Sequence, residues 1–246
     1  MKITLSLNNE LKECQINTTN YYCISQFISP TQNTNAYFIP PAHFTPFVAG
    51  SFIGNINLGG ACNCENITFN AHGNGTHTEC VGHISKEKVS MQNINLPLFI
   101  DSQLIKVKPT LKENGDLIID NESYNWDSLK PSTAIIISSN QPPFAQFSGQ
   151  NPCYFDPKIT HYLANKGFNH LLTDLPSVDR EEDSGLLLAH KAFFNYPNQI
   201  SLDKSITELC FIESGIAESN YVLNIQKAAF DTDAVPSIIT IFPYEY

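Results

Sequence analysis

With 246 residues, 42% of them hydrophobic and 15% charged, the chain can bury a sizeable core, which argues against disorder. A formal charge of -10 with only 14 Lys plus Arg leaves no phosphate-tracking surface, so nucleic acid is not an expected partner. No Gly/Ser linker or charge run divides the sequence, and no apolar run reaches the roughly eighteen residues of a membrane span.

One domain over residues 1–246 is therefore expected, with no membrane contact. Met1-Lys2-Ile3-Thr4-Leu5 leads straight into polar residues rather than a signal core, which implies a cytoplasmic protein. Seven cysteines at irregular spacing speak against a disulfide framework, and Cys62-Asn63-Cys64 lacks the second pair a zinc ribbon needs.

In chain order, residues 3 to 60 alternate short apolar runs with Pro, Asn and Gly and read as short strands and loops, Ile3 to Leu7 and Phe47 to Gly54 among them. Between these, Tyr37 to Phe44 is an aromatic stretch broken by Pro40 and Pro41, either a loop walling a pocket or a buried edge segment. Leu96 to Asp101 and Leu104 to Val107 read as two strands, and Glu113 to Asp116 as a turn into Leu117 to Ile119.

The β-branched run Ala134 to Ser139 has the pattern of a central strand covered on both faces. Asp156-Pro157, a cap and a first-turn proline, opens a helix that Lys166-Gly167 closes. Phe168 to Leu175 then reads as a strand parallel to the Ile135 strand, because a helix joins the two. Gly185 to Phe194 reads as helix, with His190 an ordinary helix residue on pattern alone. Ile206 to Ile212 reads as a strand carrying Glu208, which is either turned to water or held by a cation, since an unpaired buried carboxylate is costly. Ala234 to Pro243 is a last strand.

One stretch stands apart. Ala71-His72-Gly73-Asn74-Gly75-Thr76-His77-Thr78-Glu79-Cys80-Val81-Gly82-His83 holds three of the seven histidines and a carboxylate. Imidazole and carboxylate are ligands for a borderline divalent ion such as Zn²⁺ or Mn²⁺, and three of them leave a position for water. On an extended segment His77, Glu79 and His83 share a face by parity, while His72 needs a turn or bulge that Gly73 and Gly75 could supply. The plain alternative is a polar loop with surface histidines. No phosphate-binding glycine loop and no Gly-x-Ser-x-Gly elbow occurs, so nucleotide-dependent and serine-hydrolase chemistries lack support.

The stretch from His72 to His83 resembles the signature of the cyclase-like metal hydrolase family, which includes kynurenine formamidase and isatin hydrolase. Gly75-Thr76-His77 and His83 match in place, and Asp174-Leu175-Pro176-Ser177-Val178-Asp179 is similar to the family's later Asp-x-x-Ser-x-Asp stretch. His72 stands one residue early, Glu79 replaces an aspartate, Val81 replaces a proline, and His190 and Glu208 are widely spaced, which marks a divergent subgroup. The resemblance spans residues 70 to 212, with the first 60 not diagnostic.

It implies an α/β chain of swivelling β/β/α type: a mixed central sheet or barrel-like β core with flanking helices, in a homodimeric, metal-dependent hydrolase of amide or cyclic amide bonds in a small-molecule substrate. By motif match His72, His77 and Glu79 would bind a first Zn²⁺ or Mn²⁺ ion. Glu79, His190 and Glu208 would bind a second, and His83 would be the general acid and base. The alternative is an inactive descendant that binds a ligand or a partner. Phe38, Phe44, Phe47, Phe52, Trp126 and Phe144 are candidates either for an aryl pocket or for ordinary core packing.

Overall fold

In the computed structural model, which describes residues 2–6, 13–31 and 34–245, the run expected at the centre of a sheet lies in the wall of a closed barrel. Its strands are β1 (His77–Glu79), β2 (Ile100–Lys106), β3 (Ala134–Ser138), β4 (His170–Thr173), β5 (Ser205–Glu208), β6 (Ser219–Lys227) and β7 (Ala234–Glu245). Around the ring the order is β7–β6–β2–β3–β4–β5–β1, and β1 pairs back with β7 to close it. Strands β2 to β5 run parallel, whereas β6, β7 and β1 join antiparallel. This is the mixed, barrel-like α/β core expected.

Strand β3 explains why the barrel is stable. All five of its residues are buried, and they alternate between two cores. Ile136 and Ala134 point into the barrel with Leu172, Leu223, Ile239 and Ile241, whereas Ile135 and Ile137 face outward into a second core. Such period-two alternation suits a strand covered on both sides, and each buried isoleucine contributes about 1.5–3 kcal/mol of transfer free energy.

The second core is roofed by two helices, α2 (Pro157–Asn165) and α3 (Leu188–Phe194); a shorter one, α1 (Ala71–Asn74), precedes β1. Helix α2 begins where its signals place it: the Asp156 side chain accepts from the Lys158 amide at 2.9 Å and Pro157 fills the first turn. It buries Ile159 and Leu163, and Thr160 Oγ1 donates to the Ala189 carbonyl of α3 at 2.9 Å. Outside the barrel, Lys2–Ser6 and Glu13–Asn17 form a hairpin on the far end of β7, and His43–Pro46 pairs with Glu65–Thr68 as an arm. Among the described residues, no helix is long and apolar enough to cross a membrane.

Several expectations are corrected. The two strands read at Leu96 to Asp101 and Leu104 to Val107 are one, β2, because Ser102 and Gln103 between them also pair, with Ala134 and Ile135 on one side and Tyr221 and Asn220 on the other. Helix α3 starts only at Leu188: Gly185 and Leu187 take positive φ, which breaks the helical path before it. Strand β5 ends at Glu208, since Leu209 also takes positive φ (56°) and turns the chain away. The Tyr37 to Phe44 stretch is a loop up to Ala42 rather than a buried edge, with the Phe38 ring exposed. Of the Ile3 to Leu7 strand, Leu7 lies outside the described residues.

Candidate metal centre

The strand alternation that makes the barrel also makes the site. Opposite residues in an antiparallel pair share a face, so the register Glu208↔His77, Thr207↔Thr78 and Ile206↔Glu79 puts Glu208, His77 and Glu79 on one side and the two threonines on the other. Thr78 and Thr207 hydrogen-bond each other at 2.9 Å on that other side. The charged face is the one Ile206 shares with Ala189 and Phe193 of α3, so the site lies on the outside of the barrel, under that helix.

His190 comes down from α3 and completes the buried set. His77, Glu79, His190 and Glu208 are each no more than 3% exposed. His190 Nε2 lies 2.7 Å from Glu79 Oε1 and 3.7 Å from Glu208 Oε1, and His77 Nε2 lies 3.4 Å from Glu208 Oε2. Yet none of these contacts is aligned as a hydrogen bond for His77 Nε2, His190 Nε2 or either Glu79 oxygen. Four buried polar atoms that crowd together without aligned hydrogen bonds are the signature of a place built for something else.

The outer nitrogens of the same rings are satisfied. His77 Nδ1 lies 3.1 Å from the Gly75 carbonyl, and His190 Nδ1 lies 2.6 Å from Asp179 Oδ2. With an acceptor behind each Nδ1, Nε2 is the nitrogen that faces the centre, which is how an acceptor behind the ring prepares a metal-ligating histidine. Asp179 also accepts from the Ala189 and His190 amides at 2.7 and 3.1 Å, and Glu208 Oε1 accepts from the Val178 amide at 2.8 Å.

The solvent side is formed by His72, His83 and Asp233. His72 Nδ1 faces Glu79 Oε2 at 3.3 Å, and its Nε2 faces Asp233 Oδ2 at 3.1 Å. His83 Nδ1 is 3.4 Å from the same Asp233 oxygen and 3.9 Å from Glu79 Oε2. Three groups therefore have ligand atoms close enough for an ion: His72 with His77 and Glu79, Glu79 with His83 and His190, and His72 with His83 and Asp233. Nitrogen and carboxylate donors in this mixture fit a borderline divalent ion.

The electrostatics agree. Burial opposes charge on Glu79, but the imidazoles of His83 and His190 outweigh it and hold its carboxyl well below the usual range. His190 shows the converse: burial pulls it down, while Glu79 and Asp179 raise it well above an ordinary imidazole. His72, drawn down by burial but held by Asp233 and Glu79, is raised to about 10. The hydrogen bonds from His72 and His83 depress Asp233. A set of carboxylates this dense needs positive charge, which protons or a metal ion can supply.

The structure thus brings together all six residues singled out in the sequence, by partly different means. His83 does not reach the site by strand parity: the chain leaves the strand after Glu79 and the turn Val81–His83 swings the ring back. His72 is carried by α1 rather than by a bulge, and Gly73 is there for space, since a Cβ on it would lie 2.7 Å from Ile39 Cδ1. Of the Asp174 to Asp179 motif, the Asp179 carboxylate and the Val178 amide reach the centre, whereas Asp174 is spent on Ser138, Ser139 and Gln141. Asp233 had no local signal. Tyr37 stands in the sequence only as part of an aromatic loop; its phenol hydrogen-bonds Ser177, and burial and the nearby Glu208 raise its pKa.

Beside His72 and Asp233 a cavity of about 500 Å³ opens, walled by Phe69 and Phe230 with ring centroids 6.1 Å apart. None of the six aromatic residues proposed for a pocket lines it. Phe38, Phe47 and Phe52 are exposed and Trp126 is in the outer core.

Three comparisons with known proteins bear on this arrangement. No curated protein matches the sequence. Solved structures do match in fold: a potential metal-dependent hydrolase with cyclase activity superposes with a TM-score of 0.67 at 17% identity, covering 92% of this chain and 98% of that one. Isatin hydrolase A from Labrenzia aggregata, bound to benzyl benzoate, gives 0.65 at 13% identity over 92% and 94%. A predicted metal-dependent hydrolase from Bacillus stearothermophilus gives 0.61 at 17% over 90% and 97%. The model of the family described as "Putative cyclase" matches residues 5–180, so the likeness begins well before the histidine stretch where the motif resemblance started. With more than half its length matched and the motif histidines gathered in one centre, the chain belongs to that cyclase family.

Proposed function

We propose that the protein is a metal-dependent hydrolase of an amide or cyclic amide. The observation that carries the reading is the set of buried, unpaired ligand atoms on His77, Glu79 and His190, prepared from outside by Gly75 and Asp179. The names of the structural neighbours, hydrolases among them, point the same way.

His72, His77 and Glu79 would hold a first zinc or manganese ion, and Glu79 and His190 a second, with Glu208 as the third ligand by motif match although His83 is the third member of the group that converges there. Such an ion polarises a carbonyl and brings the pKa of a water down to about 7. The chain's own groups do the rest. His83, partly open to solvent, takes the proton as water adds to the carbonyl carbon; it then delivers that proton to the nitrogen as the C–N bond breaks, leaving an amine and a carboxylic acid that loses its own proton to solvent. Phe69 and Phe230 flank a cavity of a size that takes a small molecule, and an aryl amide suits their faces.

We also infer a homodimer: the arm, with the chain between its two strands, exposes Phe47, Val48, Ile56, Leu58 and Ile67, more apolar surface than a lone arm needs. Sedimentation should give twice the chain mass.

Elemental analysis of untagged protein tests the central claim. One or two equivalents of zinc or manganese in wild type, lost in His77→Ala and reduced in Glu208→Ala, are expected. Hydrolysis of formylated amines or lactams should disappear in His83→Ala while the metal stays. Wild type without stoichiometric metal would refute the reading, and metal without turnover would leave a ligand-binding protein.

A further inference from the structure

The imidazoles of His77, His190 and His72 each have one nitrogen turned to the centre and the other facing an acceptor outside it. His77 uses the Gly75 carbonyl and His190 uses Asp179, both through Nδ1. His72 is the exception. Helix α1 presents its Nδ1, not its Nε2, to Glu79, so the nitrogen that must carry the outward proton is Nε2, and Asp233 Oδ2 faces it at 3.1 Å. The same oxygen faces Nδ1 of His83, whose ring lies 4.4 Å from that of His72 at an interplanar angle of 34°.

Asp233 is held in this position by the barrel itself. It immediately precedes β7, whose first residues pair with the ligand strand: Ala234 opposite Glu79, Val235 opposite Thr78 and Pro236 opposite His77. The Asp233 carbonyl accepts from the Cys80 amide at 3.1 Å, and Thr232 Oγ1 donates to Asp233 Oδ1 at 2.9 Å, which leaves Oδ2 for the two rings. Gly82 leaves room for this loop, because a Cβ there would lie 2.0 Å from the Val89 carbonyl and 3.3 Å from Asp233 Cβ.

We propose that Asp233 is the positioning residue of the open side of the centre: by accepting from His72 Nε2 and His83 Nδ1 it fixes His72 as an Nδ1 ligand and frees Nε2 of His83 for proton transfer. The inference rests on the metal-site reading above. A carboxylate in this role fixes ring orientation and raises ligand basicity, and losing one costs about 10- to 100-fold in metal affinity.

The test is a titration of the apo protein with Zn²⁺ alone against a competing chromophoric chelator. It compares wild type, Asp233→Asn, Asp233→Ala, His72→Ala and the double variant His72→Ala/Asp233→Ala, each checked for folding by circular dichroism. Asp233→Ala should bind zinc about 10- to 100-fold more weakly, and Asp233→Asn, which keeps an acceptor oxygen, should recover most of that. In the His72→Ala background the same Asp233→Ala change should do almost nothing, because the residue acts through the ring already removed.

Equal affinity in wild type and Asp233→Ala would overturn the proposal. So would an equal loss in both backgrounds, which would make Asp233 a direct ligand. Wild type that binds zinc but hydrolyses no amide would remove the hydrolase reading and leave this inference standing, whereas wild type that binds no zinc removes both.

Discussion

Asp179→Ala should damage stability and metal binding together, by amounts that can be told apart. Helix α3 starts at a residue with positive φ and no side-chain cap, so its first amides have no local partner. Asp179 supplies one from outside the helix, accepting from the Ala189 and His190 amides at 2.7 and 3.1 Å and from His190 Nδ1 at 2.6 Å. Leaving a buried amide unsatisfied costs about 1–3 kcal/mol, so two of them, with the His190 contact, put the loss in the metal-free protein at about 3–5 kcal/mol. That is a large part of the roughly 5–15 kcal/mol that holds a domain folded.

If Asp179 also orients His190 toward the centre, zinc affinity falls by about 10- to 100-fold. In excess zinc this removes a further ~1.4–2.7 kcal/mol, because ligand binding adds stability as the logarithm of affinity. Urea unfolding followed by circular dichroism, with and without zinc, measures both terms. A loss under about 1 kcal/mol without zinc would refute the capping argument. An identical loss in the two conditions would refute the link to the metal.

Two further predictions concern acid. His170 is buried and its pKa is pushed down to about 4 by that burial, with Ser205 Oγ 2.9 Å from its Nδ1. The unfolded chain, with an ordinary imidazole near 6.5, binds the proton more readily, so this contribution is complete above about pH 6.5 and is lost as pH falls toward 4, about 3 kcal/mol in all. His170→Asn should flatten that part of the stability curve in urea melts between pH 7.5 and 4.5, and an unchanged slope would refute the assignment. Asp116 is depressed first by its hydrogen bond from Arg180 and then by Asn151 and Tyr154. Its stabilisation is present above the ordinary carboxylate pKa of about 4 and is lost as pH drops further. Asp116→Asn should cost about 2–3 kcal/mol at pH 7, below the value for a fully buried pair because the Arg180 side chain is 37% exposed, with the gap to wild type closing below pH 4. A gap that stays constant down to pH 2 would contradict the pairing.

What could be read in the sequence was whatever local chemistry dictates. The β-branched run of β3 can only be buried on both faces, Asp156-Pro157 is a cap and a first turn wherever it occurs, and the two-residue spacing of His77 and Glu79 fixes a shared face once the segment is extended. What could not be read was set by contacts between distant segments. Leu187 and Leu209 take positive φ with no glycine at those positions to announce it, so the sequence pattern runs past the true ends of α3 and β5. Phe69 and Phe230 form a wall only because the arm and the β6–β7 loop end beside each other. Asp233 carries no motif, and its place depends wholly on the register between β7 and β1.

That register has a further consequence. Strand β1 has three residues, of which His77 and Glu79 are site residues and Thr78 faces the other way to bond Thr207. It is also the strand that closes the barrel, pairing with β5 on one side and β7 on the other. A one-residue slip of so short a strand would turn both charged side chains into the barrel, among Ile136, Leu172 and Ile239, where unpaired charge is most costly. The ligand set and the barrel closure therefore select the same register: on the proposed metal-site reading an ion held by His77 and Glu79 would stabilise the β1 pairings, and those pairings set Glu208 opposite His77 and bring Asp233 up to the His72 and His83 rings.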